Sequence, residues 1–194
     1  MWDWSNQPQP KKNSNNSSVS GIYDDITKTN HKALPYSYQD SLSKPENFTI
    51  EEMHSHVELL LEKYKLPNMQ LILKDYAPQS WIEMDNAFSE YQKARVGFIK
   101  LIAYKNIDEL EKFGLKDSDI KCLKEGLVPE NYNTHIKIPF DFGGELSFDN
   151  FSFIRTHHTH SNIHRVLDFQ ISKGFLLKYK KIFIPYFNGR FYYD

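Results

Sequence analysis

Residues 156–165, THHTHSNIHR, put four of the chain's eight histidines into eight consecutive positions. On a helix, His160 and His164 stand one above the other on one face, the spacing that lets two imidazoles bind one ion. The single cysteine, Cys122, excludes an intramolecular disulfide and a cysteine-built zinc knuckle, so any metal site must rest on histidine and carboxylate. His135 lies in an apolar, strand-like stretch, and the pair Gly143-Gly144 that follows can turn the chain back and bring it in as a third nitrogen. Three histidines leave positions open for water and a phosphate oxygen, as a catalytic site does and a closed structural site does not. An ion held this way polarises a scissile phosphate and neutralises the departing oxygen. The bland alternative is a helix end that is merely solvated by histidine.

The elements that must position these groups follow from the pattern around them. A strand is expected near 133–138, a loop through Pro139 and Gly143-Gly144, and a second strand near 150–154. A helix from about 157 to 170 follows, with Thr156 as its N-cap. In that helix His157 shares the face of His160 and His164, and His158 lies off it. Upstream, Thr49 followed by Glu52 is a capping box, and Met53, Val57, Leu60, Leu61 and Tyr64 continue at helical spacing until Pro67. His54 and His56, two apart, cannot share a helix face and read as surface residues. The stretch LPNMQLILKDYAP fits either a short strand or a helical turn. A second helix fits 85–105, with Phe88, Tyr91, Phe98, Leu101 and Ile102 apolar, and a third fits 116–126, capped near Asp117 or Ser118 and ended by Gly126.

At the C-terminus, Asn188-Gly189 between aromatic and β-branched runs is the signal of a two-residue hairpin turn, and Pro185 puts its strand at an edge. Tyr186, Phe187, Phe191, Tyr192 and Tyr193 beside Lys178, Lys180, Lys181 and Arg190 suit either packing on the core or an aromatic, basic platform for nucleic acid. Residues 1–47 are rich in Asn, Ser, Gln and Pro and read as a flexible polar tail, in which Trp2 and Trp4 are the exceptions.

The 40 residues from about 126 to 166 resemble the HNH, or ββα-metal (His-Me finger), nucleases, in the branch of colicin-type DNases and bacterial polymorphic toxins. The likeness is carried by the His135 strand, Pro139, Gly143-Gly144, Asn150 opening the second strand, and the His160-x-x-x-His164 helix. It implies an ion held by His135, His160 and His164, with zinc, magnesium, manganese or nickel as the divalent metal. It implies that Asn150 orients the general base by a side-chain hydrogen bond. It also implies a DNA substrate, with RNA as the alternative, and a neutralising or host-target protein partner. Lys137, Arg155, Arg165, Lys180, Lys181 and Arg190 are the candidate phosphate contacts.

One position departs from the family. The base is normally the second of two adjacent histidines, three residues before the proline, and here Ile136 stands there. General-base assistance typically contributes about 10²- to 10⁴-fold. His135 acting as base through a one-residue shift, His157 or Asp141 substituting, and a non-catalytic module that binds a protein or nucleic acid all remain open. On this reading an Ile136→His change raises activity.

Composition bounds the rest. The 194 residues are 40% hydrophobic and 15% aromatic, enough for a packed core. Net charge is −1, but residues 155–194 hold seven basic against two acidic side chains, a bias suited to a polyanion. No apolar run has membrane-spanning length and the N-terminal stretch lacks a signal pattern. The expectation is a soluble chain without a membrane partner, cytoplasmic or delivered into a target cell. The fold class expected is α+β: a helical supporting region (48–125), a ββα-metal module (126–170) and a basic, aromatic C-terminal hairpin (171–194).

Overall fold

The first helix is capped at Thr49, whose side-chain oxygen accepts from the Glu52 N–H at 3.1 Å while the Glu52 carboxylate accepts from the Thr49 N–H at 2.8 Å. Two donors that a helix start leaves bare are thereby satisfied, as the capping box predicts. The computed structural model describes residues 47–77 and 81–193, and of 81–88 the backbone alone. The expected tail, with Trp2 and Trp4, lies outside the described residues except for Asn47, and so does the Phe88 side chain.

The architecture is α+β. Helix α1 (Ile50–Lys63) is followed by strand β1 (Gln70–Asp75), which decides the ambiguous LPNMQLILKDYAP stretch in favour of a strand. Then come the long helix α2 (Trp81–Lys105), the short α3 (Ile107–Lys112), absent from the sequence reading, and α4 (Asp117–Lys124). Strands β2 (Tyr132–Ile136) and β3 (Phe151–Arg155) form an antiparallel pair, with His135 opposite Ser152 and Ile136 opposite Phe151. Helices α5 (Ser161–Ser172) and α6 (Phe175–Tyr179) lead to strand β4 (Lys181–Tyr186). No helix among the described residues is long and apolar enough to cross a membrane.

The β2–β3 pair lies between two apolar clusters. One face carries Ile136, Phe151 and Phe153 into a cluster with Tyr91, Phe98, Ile99 and Ile102 of α2 and with residues of α3 and α4. The other carries Ile154 into a cluster built by Met53 and Val57 of α1, Ile163 and Val166 of α5, and Ile182 and Ile184 of β4. Alternate residues of a strand point to opposite faces, so a hairpin buried on both sides must be apolar in both registers. That is what FSFIR supplies, with the small Ser152 as the exception.

The expected C-terminal hairpin does not form. β4 pairs antiparallel with β1 over six residues, from Gln70 opposite Tyr186 to Asp75 opposite Lys181. The chain does bend at Asn188-Gly189, with Gly189 at φ +95°, but then runs to β3, where the Phe153 N–H donates to the Arg190 carbonyl at 2.7 Å and Phe191 bridges Phe153 in parallel. Burial decides against the local pairing. Phe187 and Tyr192, ring centroids 4.9 Å apart, both enter the core, and returning the chain along β4 would forfeit the β1 ladder. On its other edge β4 is held by the buried Gln170 of α5, whose amide donates to the Phe183 carbonyl and accepts from the Phe183 N–H, both at 2.8 Å. This side chain fixes α5, and the histidines at its start, against the sheet.

Candidate metal centre

His135 reaches the site because β2 alternates. Thr134 and Ile136 turn toward α2, and His135 turns toward α5, across from Ser152, whose short side chain leaves room for an imidazole. The Ser152 hydroxyl donates to the His135 carbonyl at 3.1 Å and holds this register. On the α2 side the Thr134 hydroxyl accepts from Arg95 Nε at 2.7 Å, inside the core. Arg95 falls on the helical spacing of Tyr91, Phe98 and Ile102, so periodicity alone marks it as an inward-facing cation. The sequence reading passed over it.

His160 and His164 arrive from the start of α5. The helix begins four residues later than expected, and the residues around Thr156 give the reason. The Thr156 N–H still donates to the Asn131 carbonyl at 2.9 Å, extending the β2–β3 ladder, so Thr156 closes the strand instead of capping the helix. His157 (φ −81°, ψ 139°) is extended and His158 (φ 71°, ψ −71°) takes the rare positive-φ geometry of a γ-turn, a strain of about 1–3 kcal/mol for a residue with a side chain. Helical geometry resumes at His160 (φ −61°, ψ −49°), so the four-residue spacing of His160 and His164 is kept.

The three imidazoles converge. One ring nitrogen from each of His135, His160 and His164 lies within 4.8 Å of the others, and His160 Nε2 stands 3.2 Å from His164 Nε2. Two nitrogens bound to one tetrahedral ion at 2.0–2.1 Å lie roughly 3.3 Å apart, so that pair already has a chelating separation. His135 and His160 are buried and His164 is half-buried. Burial pushes the His135 imidazole well below its usual pKa, and positive charge on His160, His164 or Lys137 pushes in the same direction. It is therefore neutral, the form that binds metal. The residues fit a divalent ion, and the group contains no carboxylate.

Other expected site residues fall elsewhere. Asn150 is buried, but its side chain holds the loop backbone instead of a base. Nδ2 donates to the carbonyls of Ile138 and Glu145, and Oδ1 accepts from the Ile138 N–H, all at 2.9 Å. Gly144 is what admits this clamp: a Cβ there would lie 1.7 Å from the Ile138 carbonyl oxygen and 2.9 Å from Asn150 Nδ2. His157 is exposed on extended backbone, so the helical register that would align it with His160 and His164 does not exist. Ile136 is 4% exposed in the α2-side cluster.

Lys137, two residues beyond His135, has its N–H on the Asn150 carbonyl at 2.9 Å and is buried. Its ammonium donates to the Gly189 carbonyl at 3.2 Å and lies over the Tyr186 ring, 5.6 Å from the centroid. Burial lowers its pKa, Asp149 opposes that shift, and Arg190 adds to it. The remaining basic residues do not make one surface with it. Lys181 pairs with Asp75 at 2.6 Å at the end of β4 remote from Tyr186, roughly 17 Å away along the strand. Lys180 precedes it and is exposed. Arg165 lies over Tyr64 and donates to the Asn162 side chain, Arg155 lies over Phe113, and Arg190 donates to the Asn106 side chain at 3.5 Å. The C-terminal aromatics Phe187 and Tyr192 are core residues, which removes them from any platform.

No family model, no curated protein and no solved structure matches this chain.

Proposed function

We propose that this chain is a metal-dependent endonuclease of the HNH, ββα-metal type, hydrolysing phosphodiester bonds of DNA as a toxin or effector domain. The observation that carries the reading is the convergence of His135 from a β-hairpin with His160 and His164 from the helix that follows it. Three imidazoles without a carboxylate among them favour a borderline ion, zinc or nickel, over magnesium. Such an ion, when bound, supplies Lewis-acid polarisation of a phosphate oxygen and neutralises the leaving oxygen. The chain's own part is positional. Ser152 fixes the register of His135, Asn150 and Gly144 fix the loop behind it, and Gln170 fixes the helix bearing the other two ligands. A chain of this kind acts in the cytoplasm of the cell that receives it and is restrained at home by a neutralising protein.

Burial of Ile136 favours a second reading. With an isoleucine in the core at the family's base position, the module keeps the metal fold to bind a protein or nucleic acid partner without cutting.

One assay separates the two. Purified protein is incubated with supercoiled plasmid and Zn²⁺, Ni²⁺, Mn²⁺ or Mg²⁺, beside His160→Ala and with a chelator control. Metal-dependent nicking that is lost in His160→Ala supports the nuclease. Retained zinc without nicking under any metal supports the binding module.

A further inference from the structure

Lys137 is a buried cation whose direct contacts are neutral, the Asp149 carboxylate acting on it only from beyond ion-pair distance. Its ammonium has a backbone carbonyl, Gly189, and an aromatic face, Tyr186, and no carboxylate within ion-pair distance among the described residues. A buried ammonium is costly to hold without a countercharge. Lys137 follows His135 by two positions, and its backbone continues the β2–β3 pairing through Asn150, so both side chains leave the hairpin on one face. In an extended chain two such positions are roughly 6.6 Å apart, a span that one phosphate group can bridge. Gly189, whose carbonyl takes the bond, is exposed, so the ammonium lies just beneath the surface. The other basic residues singled out from the sequence lie over aromatic rings, bond to side-chain amides, or stand at the far end of β4.

We propose that Lys137 is the phosphate-anchoring residue of this site, its ammonium leaving the Gly189 carbonyl to take a non-bridging oxygen of the phosphate that also meets the three-histidine centre. The inference rests on the metal-centre reading above for the second half of that contact. The first half belongs to Lys137 alone. A bond from the ammonium to an anionic oxygen replaces one to a neutral carbonyl, so the ligand brings a countercharge into direct contact.

Inorganic phosphate is the probe, titrated calorimetrically into the full-length chain, metal-free and zinc-loaded, as wild type, Lys137→Met and Lys137→Arg. Methionine keeps the apolar stem, and thermal unfolding of each variant reports whether it folds. The expected result is phosphate binding weakened about tenfold or more in Lys137→Met and largely kept in Lys137→Arg. Zinc affinity, read by chelator competition, does not fall in either variant, since removing a neighbouring positive charge relieves repulsion at His135. Equal phosphate affinity in wild type and Lys137→Met overturns the proposal, as does a wild type that binds no phosphate in either state. A wild type that retains no zinc sinks the metal reading instead, and the metal-free titration then still decides the role of Lys137.

Discussion

His135 and Ile136 are neighbours in β2 and face opposite sides of the hairpin, His135 toward His160 and His164 and Ile136 into the apolar cluster with Phe151 and Tyr91. An imidazole at position 136 therefore enters hydrocarbon, away from the metal centre. Ile136→His is expected to lower stability by about 2–4 kcal/mol, through a polar ring buried without a partner and disturbed packing. It is also expected to bring no gain in plasmid nicking, contrary to the expectation drawn from the family pattern. Denaturant unfolding and the nicking assay check both parts, and a variant that cuts faster than wild type would show that this strand end rearranges.

Binding to the folded state alone raises stability with ligand concentration, by about 4 kcal/mol at a thousandfold excess over Kd. Zinc should therefore raise the melting temperature of the wild type by several degrees. His160→Ala and His164→Ala should abolish the rise, and His157→Ala should keep it in full, because His157 is exposed outside the three-histidine group. A His157→Ala protein that no longer responds to zinc would place a fourth ligand in the centre.

The residues read correctly from sequence are those whose geometry is local. The four-residue spacing of His160 and His164, the capping box at Thr49 and Glu52, and the Gly143-Gly144 turn each depend on a few neighbouring positions. Period-two alternation was equally available, and it sets Ile136 against His135 once His135 is assigned to the site. The pairing of β1 with β4 was not available, because more than a hundred residues separate the partners and the local Asn-Gly signal suggested a hairpin instead. Thr156 shows the limit of a cap signal: the residue that closes a ladder and the residue that opens a helix have the same composition.

Gly144 is the position in the loop with no room for a side chain. An alanine Cβ would sit 1.7 Å from a backbone oxygen, which no rotamer change relieves, so the strand end at Ile138 must move, disturbing the Asn150 bonds that hold it. Gly144→Ala is expected to cost about 3 kcal/mol or more. Asn150→Ala, which removes the bonds without the clash, should cost about 2–3 kcal/mol. Because the loop anchors the end of β2, both should weaken zinc binding although neither residue touches the metal. Chelator competition measures that, and unchanged zinc affinity in a folded Gly144→Ala protein would separate the loop from the site.

Acid should loosen the metal-free protein through His135. Its pKa is depressed in the folded state, first by burial and then by positive charge on His160, His164 or Lys137, whereas in the unfolded chain it titrates near 6.5. Below that value the unfolded state binds a proton that the folded state refuses, so protons favour unfolding. The stability His135 confers as a neutral ring is complete above about pH 6.5 and declines as pH falls toward the folded value, by at most about 1.4 kcal/mol per pH unit. Denaturant titrations with chelator present, at intervals from pH 7.5 to 5, should show this slope in the wild type. His135→Gln removes the titrating group and should flatten the curve by up to one proton's worth of slope. If the two proteins lose stability in parallel as the solution is acidified, the acid sensitivity originates in other groups and His135 is not held neutral by its surroundings.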